Sequence, residues 1–218
     1  MLRAIVTAAA CAVIAAPAAR ADSWPAATVK EVFSQSREWF VRVTPGVSVG
    51  ETVGFAGSPK GKHAGAEFYR RAPDRSYRLV KEITLRNPVA PVVFLVTDRG
   101  YLVALDNWHN MGFGKVIASY APDGRTVIAH ELKDVFSAQE VAAFRHSVSS
   151  IWWRTEPIYV RNGQQSIYVA LDDKGSELIL EAETGAWQYC ERRGDAHQCR
   201  TANTSRLWRA YQEPALRR

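Results

Sequence analysis

Val92-Val93-Phe94-Leu95-Val96 runs into Asp98-Arg99-Gly100 and returns as Tyr101-Leu102-Val103-Ala104-Leu105. Two runs of β-branched, aromatic and aliphatic residues joined by a glycine-containing turn predict a β-hairpin, because glycine supplies the positive φ that closes such a turn. The pattern recurs. Residues 115–120 turn at Pro122-Asp123-Gly124 and return over 125–132, and residues 166–171 turn at Asp172-Asp173-Lys174-Gly175 and return over 177–180. Glu183-Thr184-Gly185 then leads into Trp187-Gln188-Tyr189-Cys190. Upstream, residues 39–44 read as a strand stopped by Pro45-Gly46, residues 47–66 as a long loop, and residues 77–85 as a further strand. Turns at this spacing predict a mostly β protein, an antiparallel meander of about ten strands in a sandwich, a barrel or a small propeller-like stack. A complete propeller needs about sixteen strands even with four blades, more than these runs supply.

Helix is minor in this reading. Ser137-Ala138-Gln139-Glu140 is a capping box opening a short helix through about Phe144, because the serine and glutamate side chains satisfy each other's free N–H groups. Residues 29–33 read as a second short helix, and residues 205–211 place Leu207, Trp208 and Tyr211 at helical spacing.

The first 21 residues read as a cleavable secretory signal. Arg3 precedes an apolar run that ends at Pro17, and Ala19-Arg20-Ala21 puts small residues where a signal peptidase cuts, before Asp22. The apolar run is about 13 residues, short of the ~20 that span a bilayer. Residues 22–218 then form a single β-rich domain, exported to the periplasm or beyond, with no membrane span left after cleavage. Removing Arg3 and Arg20 leaves 26 Lys and Arg against 22 Asp and Glu, a net charge of +4. These bases are scattered among acids instead of gathered into a patch, which argues against nucleic acid as a partner. Cys190 and Cys199 remain after cleavage, bracketing a hydrophilic loop, and in an oxidising compartment they read as a disulfide. A zinc site of Cys190, His197 and Cys199 has no evident fourth ligand.

Two segments concentrate groups able to do chemistry. Asp106-Asn107-Trp108-His109-Asn110-Met111-Gly112-Phe113-Gly114 joins two hairpins, and Arg145-His146-Ser147-Val148-Ser149-Ser150-Ile151-Trp152-Trp153-Arg154 follows the short helix. As a recognition surface they would offer Asp106, Asn107, Trp108, His109, Asn110, His146, Ser147, Trp152 and Arg154 to a protein or glycan of the cell envelope. Indoles supply area there, and amides and charges supply direction. As a hydrolase or metal-assisted enzyme, Asp106 would orient His109 or His146 as base for Ser147, or Asp106, His109, His146 and His63 would ligate a metal. No Gly-x-Ser-x-Gly elbow or local metal motif accompanies these residues, so no cofactor is expected. As a purely structural element, the amides and glycines make a tight left-handed connection, Asp106 and Ser147 satisfy buried backbone donors, and one of Trp152 and Trp153 belongs to the core. The non-enzymatic binding or envelope-associated module is the favoured expectation.

Together the two segments resemble uncharacterised exported bacterial β-rich proteins, in which an N-W-H-N-x-G-like element precedes an S-V-S-S-I-W-W-R-like one. The resemblance spans most of residues 92–154, and more weakly Val43-Thr44-Pro45-Gly46. It implies a β-rich fold and export, and it implies no activity. Lesser features include Gly54–Lys62, which reads as a mobile loop without the ending of a phosphate-binding loop, and Glu177, Glu181 and Glu183 near a hairpin edge, which would flank a sugar or, by their period-two spacing, equally make a plain solvent face.

Overall fold

A computed structural model of the chain describes residues 24–47, 61–161, 165–194 and 196–201. It is mostly β and antiparallel throughout. Strands β1 (Lys30–Phe33), β2 (Trp39–Thr44), β3 (Gly65–Arg71) and β4 (Tyr77–Thr84) make the first sheet. Strands β5 (Pro91–Val96), β6 (Leu102–Asn107), β7 (Ile117–Tyr120) and β8 (Thr126–His130) make the second. A 3-10 turn (Leu132–Asp134), helix α1 (Ala138–Ala143) and a two-stranded ribbon of β9 (Arg145–His146) and β10 (Ile151–Trp152) follow. The third sheet holds β11 (Ile158–Val160), β12 (Ser166–Ala170), β13 (Glu177–Glu181), β14 (Trp187–Arg193) and β15 (Ala196–Thr201). In each sheet the strands lie in chain order, so every connection between neighbours is local.

The sheets stack, and no barrel closes. The second sheet lies in the middle because its strands are apolar on both faces: all six residues of β6 and all four of β7 are buried. Period-two alternation divides them between two cores. Leu102, Ala104, Ala118 and Tyr120 pack with Trp39, Val41, Val43 and Phe68 of the first sheet. Val103, Leu105 and Ile117 pack with Ile167, Val169, Leu178 and Leu180 of the third, together with Phe136 and Trp153. The first strands of the meanders approach one another, β1 and β11 both touching β5. Two hydrogen bonds pin the stack. Ser119 Oγ donates to Ala182 O at 2.6 Å, and Arg86 N–H donates to the Tyr120 hydroxyl at 2.8 Å. Burial pushes that phenol up to about 12, so it stays a neutral acceptor.

The hairpin turns form where the sequence places them. At Gly100 (φ +84°) the turn also lets β2 approach, since a Cβ there would sit 2.6 Å from the Trp39 indole. The helix predicted at 138–144 forms with its capping box, Ser137 Oγ accepting from Glu140 N–H. Two expectations are corrected. Residues 29–33 do not make a helix: Lys30–Phe33 pairs with Phe40–Val43, because so short a segment cannot nucleate a helix but can share a ladder with β2. The loop read over 47–66 ends sooner, since Gly65 opens β3 against Thr44. Fifteen strands form among the described residues against about ten expected, the additional ones including β1, β3, β9, β10, β11 and β15. The helical spacing at 205–211 and most of the loop at 54–62 lie outside the described residues.

Cys190 and Cys199 face each other across β14 and β15 and are disulfide-bonded. The bond ties down the edge of the third sheet, and Arg200 adds an ion pair to Glu140 of α1 at 2.7 Å. Reduction is expected to cost about 2–3 kcal/mol by loop-closure entropy. Hydrogen exchange should show the loss at β14–β15, with β6 and β7 amides still protected. Equal loss of protection in β6 would show that the disulfide holds the whole stack.

Candidate functional site

The two segments singled out in the sequence come together. Residue Asp106 sits near the end of β6 in the left-handed region (φ +62°), and His109 repeats that conformation (φ +71°). Left-handed residues other than glycine cost roughly 1–3 kcal/mol each and persist where surrounding contacts over-determine them. Here a buried carboxylate does so. Asp106 is fully buried, and its Oδ1 accepts from the Gly112 N–H at 3.0 Å and from the Trp153 indole N–H at 2.6 Å. Its Oδ2 accepts from Arg154 Nε at 2.6 Å, in an ion pair whose guanidinium-bearing side chain is 5% exposed.

Further bonds sew the same seam. Asn110 Nδ2 donates to Ser149 O at 2.8 Å, and Ile151 N–H donates to Met111 O at 2.9 Å. Gly112 (φ +77°) touches Ile151 so closely that a Cβ would stand 2.7 Å from its carbonyl oxygen. Asn107 braces the loop from within: its Nδ2 donates to Phe113 O at 2.6 Å, while its Oδ1 accepts from Asn87 Nδ2 at 2.9 Å. Asn87 also donates to Asp106 O at 2.8 Å. Residues 106–114 and 145–154 thus form one clasp.

The clasp divides the predicted residues by direction. Asp106, Asn107, Asn110 and Arg154 point inward and hold structure. Trp153 lies in the second core while its neighbour Trp152 is exposed, with Arg145 over its ring at 5.6 Å. His146 is exposed on β9, its Nε2 donating to Val141 O at 3.1 Å, and Ser147 closes the β9–β10 turn with its N–H on Ser150 O. Trp108 and His109 are half-buried on the outside of the loop.

Segment 24–29 covers part of that outside, which the sequence did not reveal. Trp24 meets Trp108 edge-on at 5.3 Å and the His109 ring at 5.9 Å, and Trp108 Nε1 donates to Pro25 O at 2.9 Å. Lys30 Nζ lies 5.4 Å from the Trp108 ring centre. Burial lowers the affinity of His109 for a proton, and burial first does the same at His130, against a weaker opposing pull from Asp134.

Asp106 does not orient a histidine. The three donors holding Asp106 are an indole, a backbone amide and a guanidinium, and neither histidine is among them. Among the described residues no three His, Cys, Asp or Glu side chains stand close enough to hold a metal ion, so Asp106, His109, His146 and His63 do not converge. The chain matches no family model, no curated protein and no solved structure.

Replacing Asp106 by Asn keeps the shape but sets an amide against a buried guanidinium. It is expected to cost about 3–5 kcal/mol in denaturant unfolding. The Asp106→Asn/Arg154→Met pair should recover part of that loss, since the uncompensated charge is gone; strictly additive losses would mean that the two residues do not interact.

Acidification gives a second check. Histidines whose proton affinity is lowered by folding take up more protons when unfolded, so their stabilisation is present above the unfolded value near 6.5 and is lost as pH falls through the folded values. Melting temperature should fall between pH 7.5 and 5, and the fall should shrink in His109→Gln and His130→Gln.

Proposed function

We propose that this chain is an exported, non-enzymatic binding module of the cell envelope, with its recognition surface carried on the outside of the clasp. The reading is supported most by the way Asp106 is bonded. The one buried acid of the motif is committed to Trp153, Gly112 and Arg154. The groups left facing outward, Trp108, His109, His146 and Trp152, are recognition groups, and the buried Asp106 is bonded to none of them. Indoles provide large contact area at small conformational cost, and a rigid support keeps that cost low. The Cys190–Cys199 disulfide suits an oxidising compartment, and among the described residues no helix is long and apolar enough to cross a membrane.

The test separates surface from support. The protein is crosslinked in its native envelope and captured species are compared between wild type and Trp152→Ala/His146→Ala, both of which sit on the exposed ribbon. The double variant is expected to keep its melting temperature within a few degrees, as exposed positions usually do, and to lose the partner that wild type retains. Identical capture by both proteins would remove this surface from the reading.

A further inference from the structure

The outer face of the third sheet carries a second feature, which shares no residue with the clasp surface. Ile158-Tyr159-Val160 and Ile167-Tyr168-Val169 repeat one tripeptide, and the hairpin register sets them in mirror order. Ile167 and Val169 therefore face the second core, and the tyrosines stack on the opposite face, ring planes 7° apart and centres 5.3 Å apart. Tyr159 is 43% exposed. Beside the pair lies a cleft of about 300 Å³, floored by Tyr168, Ala170 and Pro157 and walled by Glu156, Asp173 and Glu177.

The chemistry of the cleft narrows its ligand. The tyrosines, Pro157 and Ala170 offer an apolar platform, while the carboxylates of Glu156, Asp173 and Glu177 only accept hydrogen bonds. Arg161 stands 5.5 Å from the Tyr168 ring centre with its Nη1 3.4 Å from the hydroxyl, and the Arg192 stem packs at the Gly175 lip. Arg154 Nη1 approaches Glu156 at 3.9 Å. With Arg154 committed to Asp106, the cleft carries both signs at its rim, its acids standing beside Arg161 and Arg192. It needs a neutral molecule with an apolar face to lie on tyrosine and a rim of hydroxyl donors to meet carboxylates. We propose that this cleft is a binding site for a neutral saccharide, one ring stacking on the Tyr159–Tyr168 pair and its hydroxyls donating to Glu156, Asp173 and Glu177. The volume is at the lower end for small-molecule sites and suits a short segment of chain, not a large ligand.

The site stands independently of the clasp reading, and its test is separate. The disulfide-bonded protein is titrated calorimetrically with tetra-N-acetylglucosamine, cellotetraose and maltotetraose, and with tetralysine as the cationic comparison. At least one saccharide is expected to bind, with affinity nearly unchanged between low and high salt. Tyr159→Leu, at an exposed position of an edge strand, should weaken it about tenfold without changing the fold, and Asp173→Asn/Glu177→Gln should weaken it too. Crosslinking at the clasp should be unaffected by Tyr159→Leu. Absence of saccharide binding up to about 10 mM, a Kd corresponding to less than about 3 kcal/mol, overturns the proposal. So does salt-sensitive binding of tetralysine in place of the sugars, or saccharide binding that survives both sets of substitutions.

Discussion

A carboxylate with no access to water organises this molecule's most irregular region. Asp106 sits at the end of a strand that is buried on both faces, where an unpaired charge is untenable. Its neighbours in sequence cannot neutralise it, so the guanidinium arrives from 48 residues away, with the indole N–H of Trp153 beside it. A buried pair of this kind contributes little net stability relative to an apolar pair of the same shape, because desolvation offsets the attraction. Its effect is geometric. The 107–116 loop takes a path that brings Gly112 to the same carboxylate that Trp153 and Arg154 reach, and on that path Asp106 and His109 are left-handed.

The burial of the middle sheet is what makes this arrangement necessary. Each face of β6 and β7 must present side chains sized to a different neighbour. Small Ala104 and Ala118 leave room for Phe68 and Trp39 on one side, and Val103 and Leu105 meet the aliphatic face of the third sheet on the other. A connection leaving such a strand emerges between layers, where its backbone amides have no water to bond. The polar residues of the loop answer that need: Asn107 and Asn110 reach carbonyl groups of their own and the facing segment, and Asn87 reaches the carbonyl of Asp106. Much of what makes the segment chemically dense is therefore backbone satisfaction.

The hairpins were legible because their signal is local. A Gly-containing turn between two apolar runs names its own partners, and the structure places β5–β6, β7–β8 and β12–β13 on those runs. Strands without that punctuation were not legible. Lys30–Phe33 has too few residues to show a period, and β3 mixes Glu67, Arg70 and Arg71 with its inward Ala66 and Phe68. The two clasp segments stood out by composition, yet nothing in either one states that Asp106 pairs with Arg154, or that Trp24 lies on Trp108, 84 positions away. The tyrosine pair was no more legible: residues 158–160 are too few to show a period, and it is the ladder to residues 167–169 that sets Tyr159 beside Tyr168.

Holding the loop and offering a surface are thus different tasks performed by different residues of the same motif. Inward side chains, Asp106, Asn107, Asn110 and Arg154, bond within the clasp and away from solvent. Outward ones, Trp108 and His109 on one strap of the clasp and His146 and Trp152 on the other, are fixed in position by those inward bonds while remaining at the surface. Segment 24–29 then changes what that surface presents, because Trp24 lies edge-on against both Trp108 and His109. Any partner that engages Trp108 must accommodate Trp24 or displace it, whereas Trp152, with Arg145 over its ring, is exposed. The asymmetry follows from the fold: β10 lies in a two-stranded ribbon outside the sheet stack, and the 107–110 loop lies beside the segment that enters β1.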